Sequence, residues 1–156
     1  MNGSSKLYMA LSGSGEASLY KREETGEGNV IIETITMDNY FEKEGWPVIQ
    51  LIKIDVEGAE KLALEGAKEL FKRNPDLKLF LEFGPNVMAD ARVSPEELFN
   101  TLTDVGFTKI SVIQTETLPM TVPGDIQKVV AMAKDGYVNL LCEQCGPDQK
   151  DFNMAD

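Results

Sequence analysis

The chain has 156 residues, 42% of them apolar and 26% charged, which is the balance of a globular domain able to bury roughly two-thirds of the surface its unfolded form exposes. Fifteen basic residues against 26 acidic ones give a net charge of −11, which repels phosphate backbones and anionic lipid and argues against nucleic-acid and membrane partners. No apolar run approaches the ~20 residues that cross a bilayer, and Met1 to Ser5 lacks the regions of a signal peptide, so the expected location is cytoplasmic.

In chain order, residues 6–11 and 17–20 read as short strands around the turn Ser12-Gly13-Ser14-Gly15-Glu16. A polar, Gly-rich linker from Glu23 to Asn29 leads to a β-branched strand over 30–37. Asp38 then caps a short helix through Lys43, which Gly45 and Pro47 stop. Residues 48–54 form a nearly continuous apolar run, as expected of a parallel strand covered on both faces. After Asp55-Val56-Glu57-Gly58, the residues Ala59, Leu62, Ala63, Gly66, Ala67, Leu70 and Phe71 recur at i, i+3, i+4 and i+7, which predicts one continuous helix ended by Asn74-Pro75.

Residues 77–83 are the next strand, followed by a loop at Gly84-Pro85-Asn86. Ser94-Pro95-Glu96-Glu97 is a helix start, with serine as cap and glutamate three residues on, and Gly106 ends that helix. A strand over 107–113, a loop with Pro119 and Pro123, a short helix from Asp125 and a last strand over 137–142 complete one domain over 1–145. Residues 146–156 form a polar tail. Alternation of strands and helices specifies an α/β layered sheet. Cys142 and Cys145 lack the further ligands a zinc site needs, and the chain has no histidine, so they read as ordinary cysteines at a strand end.

Ligands of open α/β sheets bind beyond the carboxyl ends of the strands. Two such ends carry acids here: Asp55, Glu57 and Glu60 after one strand and Glu82 in the other. Asp55 and Glu57 alternate by two, so an extended segment points them the same way. Such a convergence could serve as a general base, as a divalent-cation site or as polar clamps for a hydroxylated ligand. Acids at a helix start also simply favour the dipole there, so Glu57 and Glu60 have that second reading.

The block Lys53-Ile54-Asp55-Val56-Glu57-Gly58-Ala59-Glu60, followed by Leu64-Glu65-Gly66-Ala67, resembles the signature of FkbM-type methyltransferases. Leu81-Glu82-Phe83, Gly106-Phe107 and Val138-Asn139-Leu140-Leu141 extend the resemblance, as do Met9-Ala10-Leu11-Ser12, Gly15-Glu16-Ala17 and Thr36-Met37-Asp38 upstream. The resemblance implies a Rossmann-like class I methyltransferase fold, a mixed sheet with an antiparallel last strand, and S-adenosylmethionine as methyl donor. It also implies a hydroxyl acceptor on a sugar or other small metabolite. On it, Asp55, Glu57 and Glu82 take the catalytic and polar-contact positions, directly or through a divalent cation, and Met9, Ala10, Leu11 and Asp55 border the cofactor.

The family's glycine-rich cofactor loop and the acid after its second strand have no counterpart before residue 6, so the fold is expected to be partial. The implied strand order, 3-2-1-4-5-7-6, then leaves strand 48–54 with an open edge, filled by strand 6–11 or 30–37, by a second copy in a homodimer, or by a further segment. Two readings follow. One is an enzyme or its acceptor-side part; the other is a non-catalytic remnant or interaction module, which the missing cofactor grip favours over independent activity.

Overall fold

A computed structural model describes residues 3–10, 17–22 and 25–144, without the side chains of residues 10 and 25–27. Leu11, the Gly13-Ser14-Gly15 turn, Cys145 and the 146–156 tail lie outside the described residues. Among the described residues, seven strands and six helices follow the order β1 (Gly3–Ala10), β2 (Thr25–Thr34), α1 (Met37–Lys43), β3 (Leu51–Ile54), α2 (Glu60–Glu65), α3 (Lys68–Arg73), β4 (Lys78–Phe83), α4 (Pro85–Asp90), α5 (Pro95–Asp104), β5 (Phe107–Ile113), β6 (Thr117–Met120), α6 (Ile126–Met132) and β7 (Val138–Gln144). Among the described residues no helix is long and apolar enough to cross a membrane.

The main sheet has the order β3-β4-β7-β5-β6. β3 and β4 run parallel, and β7 lies antiparallel between β4 and β5, so the expected antiparallel last strand is present. Alternation gives that sheet two unlike faces. Leu79, Leu81 and Phe83 of β4 align with Cys142, Leu140 and Val138 of β7, and all six are buried. Phe99 of α5 meets Phe83 with ring centres 5.5 Å apart, and Phe71 of α3 meets Phe107 at 5.0 Å, so helices roof this face. The opposite face carries Lys78, Phe80 and Glu82 in β4, and there Glu143 of β7 bonds both Lys78 (3.2 Å) and Lys109 (2.9 Å). Their proximity holds the Glu143 carboxyl below its ordinary range, the Lys109 hydrogen bond contributing most.

β1 and β2 form a separate antiparallel sheet. Neither moves in to complete the main sheet, and β3 is its edge strand, paired with β4 alone among the described residues. The expectation of a strand buried on both faces is corrected accordingly. Only Ile54 is buried in β3, and Leu51 is 57% exposed. Of the 17–20 strand, only Ser18 pairs, with Tyr8.

The helix expected from Ala59 to Phe71 is two helices, broken at Gly66-Ala67. Asp38 explains the break: its carboxylate accepts from the amides of Glu69 (3.1 Å) and Leu70 (2.9 Å) and so caps α3 rather than its own helix. Thr36 takes the cap of α1, accepting from the Asn39 amide. The interruption also turns the register, leaving Leu62 exposed and Leu64 fully buried. Asn74 does terminate α3, with its amide group donating to Leu70 O and its carbonyl accepting from Ile49 N. Ser94 and Glu97 form the reciprocal cap read from the sequence. The loop expected at 84–86 instead opens α4, with Pro85 at its first position, and Pro119 lies within the edge strand β6, where a missing N–H is tolerated.

Candidate functional site

Between β3 and the two-stranded sheet lies a cleft of about 970 Å³. Ser5 and Leu7 of β1 and Ile32 and Thr34 of β2 form one wall. Ile52, Lys53 and Ile54 of β3 form the other, and Ala59, Leu62, Ala63 and Gly66 form the floor beside α2. Ala17 and Leu19 close one end, and Asp55, Val56 and Glu57 border it where β3 stops. The lining is mostly apolar, with Ser5, Thr34, Thr36, Lys53 and Glu65 interspersed and two carboxylates at the strand tip, the usual make-up of a small-molecule site.

The tip itself is a turn. Glu57 adopts φ +52° and Gly58 φ +98°, so the side chains of Asp55 and Glu57 meet through a reversal of the chain, not through the strand alternation read from the sequence. A β-carbon on Gly58 would stand 2.6 Å from Val87 O, so both conformation and space require glycine there. Glu60 fastens the turn to α2: its Oε1 accepts from the amides of Val56 (3.3 Å) and Gly58 (3.2 Å). It is 3% exposed, and Oε2 has no hydrogen-bond partner among the described residues. Burial pushes its carboxyl above the ordinary range, opposed by the backbone N–H donors and reinforced by Glu57.

One carboxylate oxygen from each of Asp55, Glu57 and Glu82 lies within 4.8 Å of the other two, so the three residues singled out in the sequence do converge. Asp55 and Glu57 line the cleft; Glu82, reaching over from β4, does not. Lys53 Nζ pairs with Asp55 at 2.6 Å, and Arg22 pairs with Glu57 at 3.1 Å. Glu82 has no ion-pair partner among the described residues. Burial raises its carboxyl above the usual range, and the charges of Asp55 and Glu57 raise it further against the pull of Lys53. The Lys53 ammonium is raised in turn, chiefly by its hydrogen bond to Asp55. Three such oxygens could each ligate a divalent cation. Two of the carboxylates already answer to basic side chains of the chain itself, however, and an acidic cluster alone does not argue for a metal.

Of the expected cofactor-side residues, Met9 sits at an irregularity of the β1–β2 ladder and is 48% exposed, and on β1 the cleft is lined by Ser5 and Leu7. Sequence reasoning missed Ser18, Arg22 and the partnership of Lys53 with Asp55. Arg22 lies in a polar stretch with no periodicity, and its 8% side-chain exposure depends on a contact 35 residues away that no local pattern announces. Cys142 is fully buried, and burial raises its thiol well above the ordinary range, as befits a core residue.

The chain is a mixed α/β domain with an acid-tipped cleft at a strand's carboxyl end, the place where open α/β sheets commonly bind ligands. The family model for the methyltransferase FkbM domain matches residues 1–109, which include every residue of the cleft and of the acidic cluster. The chain belongs to the FkbM methyltransferase family. Comparison with curated proteins and with solved structures yields no match.

Proposed function

We propose that this chain transfers a methyl group from S-adenosylmethionine to a hydroxyl oxygen of a sugar or other small metabolite. The observation that carries this reading is the meeting of the 970 Å³ cleft with the Asp55–Glu57–Glu82 cluster inside the segment matched by the family model. Small-molecule pockets span ~300–1,000 Å³, so this cleft has room for a donor and an acceptor together. S-adenosylmethionine would be held by the cleft lining and would supply a sulfonium methyl for transfer to the acceptor oxygen, with the thioether as leaving group.

The chain's own part is positioning and proton management. Leu7, Ile32, Ile54 and Leu62 supply the apolar walls that keep water from the reacting atoms. Asp55 and Glu57 accept hydrogen bonds from hydroxyl groups of the ligands. With no histidine in the sequence, the acceptor's proton falls to a carboxylate. Asp55 and Glu57, which border the cleft, are placed to take it, and Glu82, outside the lining, shares the cluster with them. A divalent cation shared by the three carboxylates is compatible with this reading and not required by it.

The reading includes a Rossmann-like methyltransferase fold, supported by the run β3-β4-β7-β5, which repeats the 4-5-7-6 part of the order implied by the sequence resemblance. It also places the adenine edge of the donor toward β1, where Met9 and Ala10 end the strand, and the protein in the cytoplasm. Calorimetric titration with S-adenosylmethionine tests the proposal. A dissociation constant of about 1–10 µM, near 7–8 kcal/mol of net contacts, is expected, with Asp55→Asn about tenfold weaker. No heat at about 100 µM protein and ligand would sink it.

A further inference from the structure

We infer that Arg22 is a positioning residue: with Ser18 it fastens the acid-bearing turn at residues 55–58 to the opposite wall of the cleft and aims the Glu57 carboxylate into the cluster. The functional consequence rests on the proposed methyl-donor site; the structural content does not.

Residues 17–22 belong to no regular strand, yet Ser18 is tied to β1 by two backbone hydrogen bonds, Tyr8 N–H to Ser18 O at 2.8 Å and Ser18 N–H to Tyr8 O at 3.0 Å. From this anchored point two side chains reach the turn. The Ser18 hydroxyl, 1% exposed as a residue, donates to the Glu57 carbonyl at 2.7 Å and accepts the Tyr20 N–H at 3.2 Å. Arg22 donates from Nη1 at 3.1 Å and Nη2 at 3.2 Å to Glu57 Oε2. Glu57 is thus held by its main chain and its side chain from the same segment.

Glu57 needs such a hold for two reasons. Its φ of +52° is a conformation that a residue with a β-carbon seldom adopts without support. Its carboxylate also stands within 4.8 Å of oxygens of Asp55 and Glu82, and like charges at that separation push one another outward unless a cation intervenes. Lys53 serves Asp55 from β3, and Arg22 serves Glu57 from the 17–22 segment. At 8% side-chain exposure, Arg22 is no surface charge held loosely in water, and its planar fork fixes direction as well as charge. A ligand between β1 and β3 would therefore act on the geometry of the acids through the 17–22 segment, which touches both walls.

Amide hydrogen exchange on the full chain tests the structural content without any ligand. Arg22→Gln is expected to speed exchange at the Val56 and Gly58 amides, both bonded to Glu60, about tenfold or more, with β4 and β7 unchanged; Arg22→Lys restores protection to within about threefold. Should Arg22→Gln fail to fold, Ser18→Ala is expected to give the same local loss. S-adenosylmethionine affinity supplies the second readout. Arg22→Gln and Glu57→Gln each weaken it about tenfold, and the double variant is no weaker than either alone, because one residue acts through the other. Unchanged exchange at Val56 and Gly58, or loss of protection spread evenly over β4 and β7, overturns the inference, as do additive losses of affinity. If the wild-type chain binds no S-adenosylmethionine, the proposed function fails and the exchange result alone decides the role of Arg22.

Discussion

Across the cleft, Leu79, Leu81 and Phe83 of β4 are fully buried, whereas Leu7 and Ile32 of the facing sheet are half-buried and Met9, Val30 and Ile31 are about half exposed or more. The first region is stabilised by a shared core under helices. The second is a two-stranded ladder, marginal in water on its own, tied to the rest through a few polar contacts around Ser18 and Arg22. The acid cluster sits where the two meet: Glu82 and Asp55 belong to the rigid side, and Glu57 is held from the softer one. That division places the rigid groups at the proposed chemistry and leaves the far wall free to adjust to a ligand.

The largest expected contrast is in stability. Phe83→Ala should cost ~3–5 kcal/mol in urea unfolding, and Ile32→Ala under about 1 kcal/mol, because the cavity term applies only where the surroundings are packed. Equal costs would erase the distinction between the two regions. Next comes the turn between them. Gly58→Ala meets the Val87 carbonyl as well as an unfavourable φ and should cost ~2–4 kcal/mol, while Gly45→Ala, with φ +75° and open space, should cost about 1 kcal/mol.

A smaller effect is expected from pH. The carboxyls of Glu60 and Glu82 are raised in the fold, so between their ordinary and raised values the native state holds more protons than the unfolded one. Stability therefore falls as pH rises through that window, and Glu82→Gln should flatten the fall. A melting temperature of the variant that tracks wild type from about pH 4 to about pH 7 would remove Glu82 from the account. The smallest effect concerns the outer edge of β3, which we propose pairs with the same edge of a second copy, given the exposed Leu51 and Val48 beside it. Sedimentation at about 100 µM should show a dimer that Leu51→Lys weakens about tenfold; a monomer at that concentration contradicts edge pairing.

What could be read from the sequence followed locality. Ser94 and Glu97 are three residues apart and cap one another as expected, and β4 and β7 were legible because alternation is written in adjacent residues; the acids could be named from the strand ends, but the turn at Glu57-Gly58 that brings Asp55 and Glu57 together could not. The 59–71 helix misled because its stop signal lies at Asp38, about thirty residues upstream, where the carboxylate caps α3 from another element. β3 looked doubly buried because apolar content cannot say whether a neighbouring strand is present. Arg22 could not be found at all: its meaning comes from Glu57, and a lone arginine in a polar stretch carries no periodic signal.

The most direct test of the central claim is to titrate S-adenosylmethionine into isotope-labelled chain and map the backbone amide shifts. Changes concentrated at Ser5, Leu7, Ile32 and residues 52–60, saturating at a micromolar dissociation constant, are the expected result. No shifts, or shifts centred on the β5–β6 end of the sheet, would contradict a methyl-donor site at the acid-tipped cleft.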